Sequence, residues 1–320
     1  MKYIKKTIAC LFREQKGFAL VLVSAGMVVL LGFVALVTDI GMLALNKQKI
    51  ANALDAAALA GAQELPVSAV QARAVAVNYA LLNGCSPDSP LVTSYNGQQN
   101  SRLTIAATKE VNFIFARVLG IESGTVSVRS SAAVCGLTSY QGAAPLAVPN
   151  QSFDYNTLYK LKQGANDPDG SPLGPGTYGA LSLGGPGADN YENNLKYGYD
   201  SILKVGDLIE TETGNMSNPT RRAINYRIDL CHHAPQCTPG NYDPGCPRIL
   251  IIPVYEPTVF NDGQIKTIRI VGFAAFLVDA VVPGQGNDNE IYGYFLKMAV
   301  EGDTSSNQVD YGLMGVKLIE

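Results

Sequence analysis

The chain has 320 residues, of which only 16% are charged, and its formal net charge is −3. This composition lacks the basic field that binding to nucleic acid requires, so we expect no nucleic-acid partner. The length allows two modest domains in addition to a membrane segment.

The first predicted element is an apolar helix. Phe18 to Val37 contains no charged residue. At about 1.5 Å per residue, a helix of this length spans the roughly 30 Å hydrocarbon core of a bilayer. More basic residues precede the helix than follow it closely: Lys2, Lys5, Lys6, Arg13 and Lys16 come before, and Lys47 and Lys49 come after. The positive-inside rule therefore predicts a single-pass protein of the cell membrane, with a cytoplasmic N-terminus and the bulk of the chain extracytoplasmic.

A cleaved secretory signal is the competing interpretation of the same segment. Such a signal has a shorter apolar region that ends at a small-residue cleavage site. The apolar run is instead followed by Thr38-Asp39-Ile40-Gly41, which fits that pattern poorly. We therefore predict an uncleaved anchor, the lipid bilayer being its first partner.

The helical pattern continues beyond the apolar run to about Leu65. Ala57 and Gly61 are small residues four positions apart, a spacing that lets another helix approach closely. That other helix could belong to this chain's own domain or to a neighbouring protein. Asp39 at the membrane boundary and Asp55 on the Ala-rich face could pair with neighbouring helices. The alternative is that both carboxylates simply face water.

A small α+β unit is predicted next. Ser68 to Leu82 reads as a second helix, stopped by Asn83-Gly84. Arg102–Ala107 and Thr125–Val134 alternate as strands do, and Phe113 to Leu119 reads as a short helix that ends at Gly120.

The C-terminal half has a different composition. Gly164 to Gly187 is rich in Gly and Pro, and short β-type runs follow it at Ile249–Val254, Thr267–Val282, Ile291–Val300 and Tyr311–Leu318. The predicted fold class is therefore α+β, with a mainly antiparallel sandwich or barrel in the second half. The predicted organisation is a basic tail (1–17), a transmembrane helix (18–38), the α+β unit (39–140) and a β-rich domain (150–320).

The first 137 residues resemble the Flp pilus-assembly TadE/TadG-like family. The resemblance is carried by Gly17-Phe18-Ala19-Leu20-Val21, by Val37 to Gly41, by the Ala-rich stretch Ala51 to Ala62, and by Val111 to Gly120. It implies a membrane-anchored structural or assembly component of a tight-adherence (Flp, type IV-like) pilus or related secretion apparatus. Its partners would be other pilus-assembly or secretion proteins, reached through the long helix. Larger family members often carry an Asp-x-Ser-x-Ser metal motif, which this chain lacks, so no metal site is carried over.

The cysteines are predicted to form disulfides. Cys85 follows the second helix and Cys135 ends a strand of the same unit, so we expect them to pair, while Cys10 stays reduced in the cytoplasm. Cys231 is expected to pair with Cys237 or Cys246, which leaves one thiol over. A zinc site that uses His232 or His233 is the alternative, but the spacing matches no known zinc pattern.

No catalytic arrangement is recognisable in the sequence. A Gly-x-Ser-x-Gly elbow is missing, and the paired carboxylates stand in turn-rich segments. We therefore expect no enzyme activity, no cofactor and no bound metal. Two other function classes stay open: a cell-surface binding module that recognises glycan, cell wall or a partner protein, and a hydrolase of unrecognised type.

Overall fold

A computed structural model of the chain describes residues 15–161, 179–212, 216–261, 264–283 and 289–319. Within these residues the fold is α+β, with one long N-terminal helix, mainly antiparallel sheets and no closed barrel. The helices are α1 (Gln15–Ala62), α2 (Ala69–Leu82), a 3₁₀ helix (Ala116–Leu119), α3 (Ala188–Tyr197) and α4 (Ser217–Asp229). The strands are β1 (Leu91–Tyr95), β2 (Gln98–Asn112), β3 (Ser123–Gly136), β4 (Ser139–Gln141), β5 (Leu146–Pro149), β6 (Tyr159–Lys160), β7 (Gly179–Ala180), β8 (Ile202–Lys204), β9 (Leu208–Glu210), β10 (Ile249–Asn261), β11 (Gln264–Pro283), β12 (Asn289–Leu296), β13 (Met298–Ala299) and β14 (Leu313–Ile319).

The two predicted N-terminal helices are confirmed. The side chain of Ser68 caps α2 by accepting a hydrogen bond from the N–H of Gln71, 3.1 Å away. Asn83 closes α2, and Gly84 follows with a φ of +73°, a conformation that favours glycine. The C-terminal half of α1 and the buried face of α2 pack together on one face of the first sheet.

That first sheet has the strand order β1-β2-β3-β14-β13. The strand β14 comes from the C-terminal end of the described chain, yet it pairs antiparallel with residues 131–136 of β3. The predicted boundary near residue 140 is therefore wrong for residues 313–319. Together with β13 they complete the N-terminal unit, and the rest of the C-terminal half is an insertion between β3 and β13.

The second sheet has the order β6-β12-β11-β10-β5-β7, with β9 paired to part of β11. Both of its faces are covered. Leu250, Ile252 and Val254 face a core that includes α3 and α4, whereas Ile249 and Ile251 face the loops on the other side. This explains why β10 reads as a continuous apolar run, since a strand buried on both faces has no polar alternation.

Two sequence predictions need correction here. Helices α3 and α4 were not expected, because both segments are rich in Asn and Asp or contain Pro. The predicted helix Phe113–Leu119 is shorter than expected, since only Ala116–Leu119 is helical and its turn is 3₁₀. Residues 164–178 of the predicted turn-rich stretch, and Cys10, lie outside the described residues.

Candidate functional site: an aspartate clamp at the end of the apolar helix

Asp39 is the first fully buried side chain along the described part of α1. The apolar side chains before it, from Leu20 to Val37, are largely exposed. The side chain of Asp39, in contrast, is only 5% exposed. A carboxylate is costly to bury unless hydrogen-bond donors surround it, so the partners of Asp39 decide its role.

The partners are three consecutive backbone amides. The Oδ1 atom accepts a hydrogen bond from the N–H of Ile114 at 2.9 Å. The Oδ2 atom accepts from the N–H of Phe115 at 3.1 Å and from the N–H of Ala116 at 2.7 Å. These amides begin the 3₁₀ helix Ala116–Leu119, where N–H groups otherwise lack partners. Asp39 therefore clamps the β2–β3 loop onto α1 across a sequence distance of 75 residues.

The clamped loop carries apolar side chains that remain exposed. Ile114, Phe115 and Ile121 are all exposed, and Val118 is 88% exposed. Together with α1, this loop lines an apolar groove of about 570 Å³ that extends from Val28 to Ile40 along the helix. Helix and loop thus form one continuous apolar surface, larger than a scatter of single exposed residues.

The small residues of α1 have a partner inside this chain. Ala57 is fully buried. A Cβ atom added to Gly61 would lie 2.6 Å from the backbone oxygen of Ala72 and 2.8 Å from the Cβ atom of Ala76, both in α2. The close approach that the spacing predicts is therefore made with α2, which was one of the two alternatives. It does not leave this face free for a neighbouring protein.

Asp55 behaves differently from Asp39. It lies on α1 with a partly buried side chain, and its carboxylate takes no part in the clamp. Of the two acidic residues singled out in the sequence, only Asp39 thus bonds another segment at this site. The sequence contained one sign of the exposed apolar loop. It is the apolar run Phe113-Ile114-Phe115, which is followed at Gly120 by a residue that ends helices.

The predicted bond between Cys85 and Cys135 is absent. All five described cysteines are free thiols. Cys85 packs in the core between the helices and the first sheet, together with Val134. Because neighbouring residues of a strand point to opposite faces, Cys135 points away from that core. The other three cysteines, Cys231, Cys237 and Cys246, converge around His233 in the second half.

The helix and the clamp place the chain in a class of proteins in which one N-terminal helix, long and apolar enough to cross a membrane, continues into a folded α+β unit. Residues 17–64 match the model of the Tad family, described as Flp pilus-assembly TadE/G-like. The match confirms the resemblance in the N-terminal region, and it includes Asp39, Asp55, Ala57 and Gly61. Comparisons with curated proteins and with solved structures give no match.

Proposed function

We propose that this chain is a membrane-anchored structural or assembly component of a tight-adherence (Flp, type IV-like) pilus or a related secretion apparatus. The observation that carries the proposal is the Tad match over residues 17–64, which coincides with helix α1. The first part of that helix is apolar and exposed, while its second part is built into the core of a folded unit. A chain of this design holds a domain at a fixed distance from a membrane.

In this proposal the N-terminus is cytoplasmic and everything from about residue 40 onward is extracytoplasmic. The excess of basic residues before the helix supports that orientation. Asp39 then lies at the outer boundary of the bilayer. There its carboxylate holds the β2–β3 loop at the same level as the end of the membrane-spanning segment.

The clamped loop would give the protein a second contact with lipid. Ile114, Phe115, Val118 and Ile121 are exposed beside the apolar part of α1, and the groove between them reaches back to Val28. These side chains extend the apolar surface of the anchor sideways, so the bilayer is the occupant that fits them. Arg117 is exposed on the same turn, where it can reach lipid phosphates.

Other components of the apparatus would contact surfaces of this chain that its own fold leaves exposed. The small-residue face around Gly61 is occupied by α2, so lateral contacts through α1 would involve its exposed apolar part inside the bilayer. The proposal assigns the chain a structural role and no enzyme activity.

Deleting the gene in the native host tests this function. We expect the amount of surface pilus, or of the secreted substrate, to fall sharply and to be restored by the full-length chain. A matched variant in which residues 18–38 are replaced by a cleavable secretory signal would release the same domain from the membrane, and we expect it not to restore assembly. Normal assembly in the deletion strain would contradict the proposal.

Topology is measured separately. N-terminal sequencing of the protein from membranes should find no start at Phe18 or beyond residue 38. External protease on spheroplasts should degrade the domain and leave the basic tail protected. Replacing Val118 and Ile121 with Asp should leave the chain in the membrane, because α1 anchors it, but should make amide hydrogen exchange of residues 114–121 in membranes faster. The same change at Val309, which is exposed and far from α1 in sequence, should not have this effect.

A further inference from the structure

The segment 230–248 joins α4 to β10 without a helix or strand of its own beyond one bridge between Thr238 and Asn241. A connection of this length is uncommon inside a compact domain unless something holds it. Cys237 and Cys246, from this segment, are nevertheless buried in the core on one face of the second sheet. The segment therefore has a fixed conformation that its few apolar side chains do not explain.

Four side chains of this segment converge on one point. The Sγ atoms of Cys231 and Cys246 lie 3.5 Å apart. The Nδ1 atom of His233 lies 3.6 Å from the Sγ atom of Cys231 and 3.4 Å from the Sγ atom of Cys237. The four potential ligand atoms all lie within 4.8 Å of one another.

These separations are those of a tetrahedron around a metal ion. Zinc binds thiolates at about 2.3 Å and imidazole nitrogens at about 2.0–2.1 Å, so ligand atoms on a tetrahedral site stand about 3.8 Å apart for two sulfurs and about 3.6 Å for sulfur and nitrogen. The S–S distance of 3.5 Å and the two S–N distances of 3.6 and 3.4 Å agree with these values within a few tenths of an ångström, and the other three pairs lie within 4.8 Å. Two sulfurs in a disulfide would instead lie about 2.05 Å apart.

The surroundings of the cluster match those of metal sites. His233 turns its Nδ1 atom to the sulfurs, and its Nε2 atom lies 3.8 Å from an Oδ2 atom of Asp243. In metal sites a carboxylate that accepts a hydrogen bond from the imidazole fixes the ring. At 3.8 Å Asp243 lies on the side of the ring where such a partner stands, beyond hydrogen-bond distance. Asp243 is itself held in place, because its Oδ1 atom accepts a hydrogen bond from the N–H of Gly245 at 2.7 Å.

A buried arginine also contacts the backbone of the cluster. Arg248 is 1% exposed, and one of its guanidinium nitrogens lies 3.3 Å from the backbone oxygen of Cys237. The same guanidinium group pairs with the carboxylate of Asp279 at 3.5 Å. A buried arginine, paired with Asp279, therefore lies beside the cluster and holds the backbone of Cys237 in place.

We propose that Cys231, His233, Cys237 and Cys246 bind one Zn²⁺ ion as a structural site. Four protein ligands complete the tetrahedron and leave no open position for water or substrate, which distinguishes structural from catalytic zinc. The ion would tie the end of α4 to the start of β10. A disulfide in the same cluster could use only two of the three thiols, whereas zinc uses all three together with the imidazole.

The zinc content of the full-length chain, purified in detergent without chelator, tests the proposal. We expect one zinc ion per chain by mass spectrometry of the elements. The chain offers two matched pairs of variants. His233→Ala should lose most of the zinc while His232→Ala, at the adjacent position, keeps it. Cys237→Ser should lose it while Cys135→Ser keeps it, although the two thiols are 5% and 4% exposed and so equally buried.

A measurement on the unaltered protein tests the site without variants, which could lose zinc simply because they fail to fold. X-ray absorption at the zinc edge should fit three sulfur neighbours at about 2.3 Å and one nitrogen at about 2.0–2.1 Å. Peptide mapping without reductant that finds Cys231 bonded to Cys246, in protein with less than a tenth of an equivalent of zinc, would overturn the site. So would equal zinc loss from His232→Ala and His233→Ala, since the bound metal would then be adventitious.

Discussion

The two halves of this molecule have cores of opposite kinds. In the core between α1, α2 and the first sheet, nine of the nineteen buried members are alanine, and within the described residues none is aromatic. The core between the second sheet and helices α3 and α4 instead contains six aromatic rings. The first core is held by close approach of backbones and the second by large side chains that fill volume. The two should therefore fail in different ways, one when a side chain is enlarged and the other when a side chain is removed.

The largest expected effect is the loss of a ring from the second core. Phe295 is fully buried, stacks on Phe153 with ring centroids 3.9 Å apart, and meets Tyr159 and Phe276 edge to face. Phe295→Ala should lower the free energy of unfolding by about 3–5 kcal/mol, because it leaves a cavity that neighbouring rings cannot close. Urea unfolding of the full-length chain in detergent measures this. Leu208→Ala, at a side chain that is 60% exposed, should change the same quantity by less than about 1 kcal/mol.

The next effect comes from adding one methyl group to the first core. A Cβ atom at Gly61 would lie 2.6 Å from a backbone oxygen of α2, which cannot move aside as a flexible side chain could. Gly61→Ala should therefore destabilise the unit by about 1–3 kcal/mol, despite the better helix propensity of alanine. Gly41→Ala, on the same helix with nothing within 4 Å of its Cβ position, should be neutral or slightly stabilising. Equal effects at the two positions would show that close packing does not limit this core.

A local effect is expected at the clamp. Asp39→Asn replaces one of the two acceptor oxygens with an amide group that donates, so at least one of the three backbone amides of residues 114–116 loses its partner. Amide hydrogen exchange in this loop should become several-fold faster while exchange in β2 and β3 hardly changes. Asp55→Asn alters the same charge on the same helix, outside the clamp, and should leave the loop protected.

The smallest effect tests electrostatics between α3 and α4. The carboxylate of Glu192 accepts hydrogen bonds from Arg222 and bonds Lys196 at 2.7 Å. The hydrogen bond from Arg222 lowers the pKa of Glu192 to about 2, despite the opposing effect of burial. A lowered pKa in the folded state stabilises the fold above the unfolded pKa of about 4.3, and this contribution is lost as pH falls through about 2.

Glu192→Gln should therefore lower the midpoint of thermal unfolding by a few degrees at pH 7. The difference from the unaltered chain should shrink as pH falls from about 4.3 toward 2. A difference that stays constant across this range would mean that Glu192 acts through packing rather than through its charge.

The sequence could predict the elements that local patterns determine, and it missed those that depend on packing against distant parts of the chain. Helices α1 and α2, and most of the long strands, follow from apolar runs, caps and turn residues that are local in sequence. Helices α3 and α4 were missed, since four of the ten residues of α3 are Asn or Asp and α4 contains Pro219, although Tyr191 and Leu195 stand four residues apart on the buried face of α3. Their stability comes from the sheet they cover, and no local pattern shows that.

The candidate site was only partly predictable for the same reason. The sequence singles out Asp39 by its position at the end of the apolar run, but its partners are backbone amides 75 to 77 residues away. The sequence predicts a disulfide of Cys231 with Cys237 or Cys246, whereas the structure has all three as free thiols that converge on His233. The placement of Cys85 and Cys135 was wrong because the two lie on opposite faces of one sheet.

The pairing of β3 with β14 can form only late in the synthesis of the chain. The strand β3 ends at residue 136, but its partner begins at residue 313. At about 5–20 residues per second, a ribosome needs roughly 10 to 35 seconds to make the intervening chain. Throughout that interval β3 has an open edge, and an unpaired strand edge can be extended by any other strand. A chain that stops anywhere between residues 137 and 312 would keep that edge permanently, so interrupted synthesis should yield a protein prone to aggregation rather than a smaller functional one.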